Sequence, residues 1–294
     1  MGEIEKISAE KVAEGLIFGE GIRWTGSEVV LSDMAGQRVV KVYPSNGKVE
    51  TLYVLEGDNC PNGLVCLDDG SLLIMCMFDR KIIKFKEGVV SEYADLSKVT
   101  TGYLGDVVMD AQGNLYVDDV GIRPFHGEAL APIGRVILVK TNGEISVVLE
   151  NLDFPNGITI SPDGKTLYLV ESFELHAYDI EKDCSLSGGR FHSKVEGHKL
   201  DGMGIDDESG VWLNVTTGNQ IVRFDKSGVM THEISLPGIA PIACTIGGED
   251  GKTMFITGFD EIGDKNIFDE IKYKRLKTSI WKAKVPFTNA KGRP

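Results

Sequence analysis

A glutamate, two asparagines and an aspartate recur at one place in a motif that this chain carries six times. The copies read GEGIRWTGSEVVLSD from Gly19, CPNGLVCLDDGSLLIMC from Cys60, YLGDVVMDAQGNLYVDD from Tyr103, FPNGITISPDGKTLYLV from Phe154, LDGMGIDDESGVWLNV from Leu200 and IACTIGGEDGKTMFIT from Ile242. The shared place is held by Glu20, Asn62, Gly105, Asn156, Asp201 and Ala243. Taken singly, Asn-Gly and Asp-Gly are ordinary turn dipeptides. Glu20 is not a turn former, yet it occupies the same position in its own copy. Gathered in one place, a carboxylate, carboxamide oxygens and a second carboxylate, completed by water, form the ligand set of one hard divalent cation. Ca²⁺ suits it most naturally, with Zn²⁺, Mn²⁺ or Mg²⁺ as the other candidates. No His or Cys holds the position, which argues against a dedicated zinc site.

Such residues meet only if the fold brings distant segments together. Each copy is an apolar run, a Gly-containing polar turn and a second β-rich run, which is a hairpin. Between copies lie further strand-like stretches such as QRVVKVYP, RKIIKFKEG, GRVILVKTNGE and NQIVRFDKSG, so each unit holds about four strands. The shared position recurs at intervals of 42, 43, 51, 45 and 42 residues, the size of a propeller blade. The fold expected is all-β: a six-bladed β-propeller, one domain over 1–294, with a metal site at the mouth of the central channel. A solenoid would need capping segments that neither end provides. The stretch SIWKAKVPF is expected to pair with N-terminal residues and close the ring, removing free sheet edges. Helical period is confined to 261–276.

Composition narrows the function classes. The 294 residues are 42% hydrophobic, with 44 acidic against 31 basic side chains and a formal charge of −13. That surplus repels phosphate-rich partners, so nucleic acid is not expected. The opening MGEIEKISAEKVAEGLIF has no basic region followed by an apolar stretch, and no apolar window nears the ~18 residues of a membrane helix. A cytoplasmic chain without a membrane partner is expected. Five cysteines (Cys60, Cys66, Cys76, Cys184, Cys244) form no Cys-x-x-Cys pair and read as free thiols.

GEGIRW, PNGITISPDGKTLYLVES, LDGMGIDDESGVWLN and GGEDGKTMFIT resemble the SMP-30/gluconolactonase/LRE family, which includes regucalcin. The resemblance covers nearly the whole chain. It implies a six-bladed propeller with one divalent metal in the channel mouth and, commonly, hydrolysis of lactones. Diisopropyl-fluorophosphatase and paraoxonase-type hydrolases are related in architecture and metal placement. The family's metal-binding Glu, Asn and Asp fall on Glu20, Asn156 and Asp201. Its Arg-Phe-Asn-Asp segment, which touches sugar-type substrates, falls on Tyr103-Leu104-Gly105-Asp106, where only Asp106 matches. One oxygen ligand and a cationic clamp are thereby lost; water would fill the ligand's place, and a more apolar or aromatic lactone than an aldonolactone is expected.

On this reading the cation polarises the lactone carbonyl and Asp201 is the catalytic base. The loop GIRPFHGEALAP, Gly121 to Pro132, exceeds what a hairpin needs and is expected to form a lid. Asn62, Tyr103, Asp106, Phe125 and His126 are the candidate substrate contacts, and His198 is a candidate support for Asp201. No Gly-x-Ser-x-Gly elbow, phosphate-binding loop or dinucleotide fingerprint is present. The alternatives are a related phosphotriester or ester hydrolase, and a non-catalytic propeller that binds a ligand or a protein. The oligomeric state is not legible.

Overall fold

In the computed structural model, which describes residues 4–290, six antiparallel sheets surround a central axis. The innermost strands are Gly19–Trp24, Pro61–Cys66, Leu104–Met109, Pro155–Ile160, Leu200–Ile205 and Ile239–Gly247, opening blades 1 to 6 in turn. Each packs on the next, and the last packs on the first. The expected six-bladed propeller is the fold found. For the single domain expected over 1–294, residues 1–3 and 291–294 lie outside the described part.

These inner strands are buried on both faces, so they read as nearly continuous small and apolar runs. Leu64, Val107, Ile158, Ile205 and Ile242 are almost wholly buried, and the outer strands carry the charged residues. All five cysteines are free. Among the described residues no helix is long and apolar enough to cross a membrane.

Closure uses the N-terminus twice. Ala9–Leu16 forms the outer strand of blade 6, antiparallel to Thr278–Lys284, with Ala9 opposite Ala283 and Leu16 opposite Thr278. Glu5–Ile7 then crosses to blade 5 and pairs in parallel with Met230–Ser235. The first pairing is the expected one. The second was not foreseen, because a three-residue strand carries too little pattern to read.

Two connections are longer than a hairpin requires. In blade 3 the link from Leu115–Asp119 to Gly134–Val139 contains a 3₁₀ turn, Pro124–His126. In blade 6 the link from Thr253–Asp260 to Thr278–Lys284 contains the helix Ile267–Lys272, within the stretch expected to be helical. Asn266 caps that helix, its Oδ1 accepting the Phe268 and Asp269 N–H groups at 2.9 and 3.3 Å. Inner strands start at the channel mouth, so second strands end there, and both links lie on its rim.

Leu16, 3% exposed, anchors the closing strand in the apolar cluster at the mouth. Leu16→Ala should cost about 2–5 kcal/mol and lower Tm by roughly 5–15 °C. Val54→Ala, on an exposed outer strand, should shift Tm by less than about 2 °C. Equal Tm values by calorimetry would contradict closure through this strand.

Candidate metal centre

Every inner strand carries one residue more than its neighbour at the mouth end. In blade 5, Leu200 faces Val215 and Met203 faces Leu213, so Asp201 and Gly202 together oppose Asn214. In blade 4, Asn156 and Gly157 likewise oppose Val170. Blades 1, 2, 3 and 6 show the same one-residue excess. A bulge of this kind turns its first residue off the ladder. That residue is Asn62, Asn156 or Asp201, while in blade 1 Glu20 still faces Ser32 and the excess follows it directly, on Gly21 and Ile22; the six equivalent places ring the channel mouth.

The glycines after these residues are therefore not turn residues. A Cβ on Gly157 would lie 2.7 Å from the Asp201 carbonyl oxygen of the next blade, and one on Gly202 would lie 2.7 Å from that of Ile242. Glycine is required because adjacent inner strands touch backbone to backbone. Side chains of the second strands tie the blades further: Ser32 Oγ donates to the Asn62 carbonyl at 2.6 Å and Thr257 Oγ1 to the Gly19 carbonyl at 2.9 Å.

Burial puts the ring's carboxyls under strong electrostatic load. Glu20, 8% exposed, is raised well above the usual carboxyl range, first by burial and then by Asp201, Asp106 and Asp118. Burial and Asp106 push Asp201 up to about 7, against the opposing pull of the Gly202 N–H, Asn156 and Thr216. Asp118 is also raised well above its ordinary value by burial, Asp106, Asp119 and Asp201. Arg23 is the neighbouring cation, with Nη2 3.9 Å from Asp106 Oδ1 and hydrogen-bonded at 3.0 Å to the Val107 carbonyl. Fully ionised, four carboxyls against one guanidinium would leave three negative charges uncompensated, and all four pKa values are raised.

Three carboxylate oxygens in this group, on Asp106, Asp118 and Asp201, are buried without a hydrogen-bond partner. Hard oxygen donors, surplus negative charge and orphaned oxygens together fit a divalent cation. Glu20, Asn156 and Asp201 would hold it. Among the described residues no three His, Cys, Asp or Glu side chains are gathered tightly enough to bind a metal by themselves, so a carboxamide belongs in the set.

The other candidates fall into place around this ring. Asn62 is buried, and its Nδ2 donates to the Leu104 carbonyl at 3.4 Å, linking blade 2 to blade 3. Asp106 lies beside Arg23, its backbone N–H bonded at 2.9 Å to Asp118 Oδ2. His198 is half-buried and bonds Thr217 Oγ1 at 3.3 Å; the hydroxyl that reaches Asp201 is that of Thr216, at 3.5 Å. Sequence reasoning missed Thr216, Arg23 and Asp118. The signal for Asp118 was its place opposite the bulge, equivalent to Ser32 and Asn214.

Over the ring lies an aromatic layer. Tyr103 stacks on Phe125 at 5.6 Å and packs on Phe78 at 4.6 Å, while its hydroxyl is hydrogen-bonded to His126 Nδ1. Phe125 meets Phe268 edge-on at 5.7 Å, and Phe268 reaches Phe154 at 6.2 Å. The rim insertions of blades 3 and 6, on opposite sides of the ring, thus touch above the channel. A cleft of about 580 Å³ borders Tyr103 and His126 on their outer side, lined also by Asn59, Phe78, Asp79 and Arg123.

Comparison with known proteins gives one consistent answer. Residues 18–259 match the family described as the SMP-30/Gluconolactonase/LRE-like region. The chain is 25% identical over 266 residues to regucalcin of Gallus gallus, covering 84% of this chain and 85% of that one. It is 25% identical over 252 residues to lactonase drp35 of Staphylococcus epidermidis, covering 80% and 76%. The solved structure of regucalcin from Agrobacterium tumefaciens, a calcium-binding protein, superposes with a TM-score of 0.78 at 18% identity over 98% of this chain and 99% of that one.

The raised pKa of Asp201 has a fixed sign of effect. A carboxyl that titrates higher in the folded chain stabilises it below the unfolded value and loses that contribution as pH rises through about 7. In chelator, Asp201→Asn should therefore gain Tm relative to the parent as pH goes from 5 to 8. A parent-to-variant difference that stays flat across that range would refute the burial argument.

Proposed function

Because the chain belongs to the SMP-30/gluconolactonase/LRE-like family, we propose that it hydrolyses lactones at the channel mouth, with Glu20, Asn156 and Asp201 holding one divalent cation. The observation that carries this reading is the ring itself: a buried carboxylate on Glu20, a half-buried one on Asp201 and the Asn156 carboxamide, each at the bulged mouth end of a different inner strand. The donor set favours calcium over softer ions. When bound, the cation supplies a Lewis acid for the ester carbonyl and for the charge that develops on its oxygen.

The protein's own groups do the rest. Asp201, with one buried oxygen lacking a hydrogen bond, takes the proton of the attacking water and returns it to the ring oxygen that leaves, giving a hydroxy acid. Thr216 fixes the other carboxylate oxygen, since its Oγ1 lies 3.5 Å from Asp201 Oδ2 and 2.9 Å from the Pro241 carbonyl. Arg23 stays below, bonded to the Ile22 and Val107 carbonyls, and limits the repulsion that the buried acids feel.

The aromatic layer sets the substrate class. Tyr103 is 3% exposed and neutral, its phenol pKa raised by burial. It stands with Phe125, Phe78, Phe268 and Phe154 against the face a bound lactone would present. A polyhydroxylated ring would bury hydroxyls there without partners, at a cost of about 1–3 kcal/mol each. An aliphatic or aromatic lactone incurs no such penalty and gains the apolar contact. His126, bonded to Tyr103, holds the 121–132 loop over the site.

Proton release over aliphatic, aromatic and sugar lactones, with and without chelator, is the direct assay. Chelator-sensitive turnover that is faster for apolar lactones than for aldonolactones is expected. Asp201→Ala should lower kcat/KM by about 10²–10⁴-fold with the strand signature in circular dichroism retained; unchanged turnover would end the mechanism. Phe125→Ala should raise KM for an aromatic lactone roughly 10-fold and leave a sugar lactone unaffected. Metal binding without turnover of any lactone would leave phosphotriester chemistry, tested on an aryl phosphotriester, or a purely binding propeller.

A further inference from the structure

Blade 3 breaks the pattern of the ring. In blades 1, 2, 4 and 5 the repeated position reads Glu20-Gly21, Asn62-Gly63, Asn156-Gly157 and Asp201-Gly202, whereas blade 3 reads Gly105-Asp106, with the order reversed. Gly105 stands where the ring would otherwise carry a side chain. Its space is not open. A Cβ built on Gly105 would meet Asp118 Oδ1 at 1.9 Å, so the Asp118 carboxylate, rising from the second strand of the same blade, fills the missing side chain's position.

Asp118 is 1% exposed. Its Oδ2 accepts the Asp106 N–H at 2.9 Å, which fixes the carboxylate plane, while Oδ1 is buried with no hydrogen-bond partner. At the equivalent second-strand position Ser32 is committed to the Asn62 carbonyl of the next blade, and Asn214 donates its amide to the Gly202 carbonyl of its own inner strand. Asp118 is committed on one oxygen only. A fully buried carboxylate oxygen with no donor is costly unless something positive meets it.

We propose that Asp118 supplies the cation's fourth protein donor, through Oδ1, in place of the side chain that Gly105 lacks. This rests on the reading of Glu20, Asn156 and Asp201 as a divalent-cation site. It replaces a water in the shell with a third carboxylate, and ligand charge is what tunes affinity at hard-cation sites. Among the described residues no three acidic side chains are gathered tightly enough to hold a metal as they stand, so binding through Glu20, Asp118 and Asp201 together requires them to move toward the cation. Gly105 is then a required residue, because any side chain there evicts Asp118.

The test is calcium titration by calorimetry on the chelator-stripped protein, its Asp118→Asn variant and its Gly105→Ala variant, with Tm of each stripped form. Asp118→Asn keeps the volume and an acceptor for the Asp106 N–H. Gly105→Ala keeps every carboxylate and only displaces one. Both should weaken calcium binding by about 10–100-fold, while the stripped Asp118→Asn protein melts no lower than the parent because one repelling charge is gone. Parent-like calcium affinity in both variants would overturn the role of Asp118 and leave the three-residue site standing. Weakened binding together with a lower Tm in the stripped Asp118→Asn protein would assign Asp118 a structural role and equally overturn it. A parent protein that binds neither calcium, magnesium, manganese nor zinc would overturn the underlying reading, and this inference with it.

Discussion

The constraint on which the site depends is the contact of backbone with backbone around the channel mouth. Six inner strands converge there, and the space between neighbours is narrower than one methyl group: the nearest atom to a Cβ on Gly157 or Gly202 is a carbonyl oxygen of the next blade at 2.7 Å. Convergence this tight needs a residue without a side chain in the contact and an adjacent one turned away from it. The bulge meets both needs in two residues. The ring of donors is therefore a by-product of how the blades close, and the propeller offers six such places whatever chemistry they carry.

What those places carry is negative charge beyond what the protein can compensate. Glu20, Asp106, Asp118 and Asp201 are buried within electrostatic reach of one another, and Arg23 is the cation set against them. Burying unpaired carboxylates opposes folding, and the chain meets that by protonation or by a cation. Protonation is written in the direction of every pKa shift in the group. On the proposed reading a cation would serve better near neutral pH, since it would satisfy several carboxylates at once and keep Asp201 ionised.

How much of this could be read beforehand follows from where each signal lies. Glu20, Asn156 and Asp201 were legible because repeats align them, and Glu20 has no turn chemistry to excuse it. The blades were legible for the same reason, as was the closing strand, which has a β-rich pattern of its own. The glycines next to the ring residues were read as turn formers, since in one dimension a residue avoiding a neighbouring blade looks the same as one adopting a turn. Asp118 was invisible: its importance depends on facing Gly105 across a ladder, which appears only once the register is known. The strand Glu5–Ile7 was too short to read, and the contact of Phe125 with Phe268 joins residues 143 positions apart through no repeat at all.

That last contact explains why the two irregular blades are opposite ones. The inner ring has near-sixfold repetition, and a symmetric mouth would stay open to solvent. Lengthening the same connection in blades 3 and 6 sends two insertions toward each other over the axis. One ends in the short turn carrying Phe125 and His126, the other in a capped helix presenting Phe268. Blade 3 supplies Tyr103 beneath its own insertion and gives up a ring side chain at Gly105, so the departure from symmetry in the donor ring and the departure in the roof fall on one blade. On its roof side blade 3 presents Tyr103 packed among phenylalanines, and on its channel side Asp118 and Asp106. The sheet separates the two surfaces: aromatic side chains above the bulge, charge at the bulge and on the strand behind it.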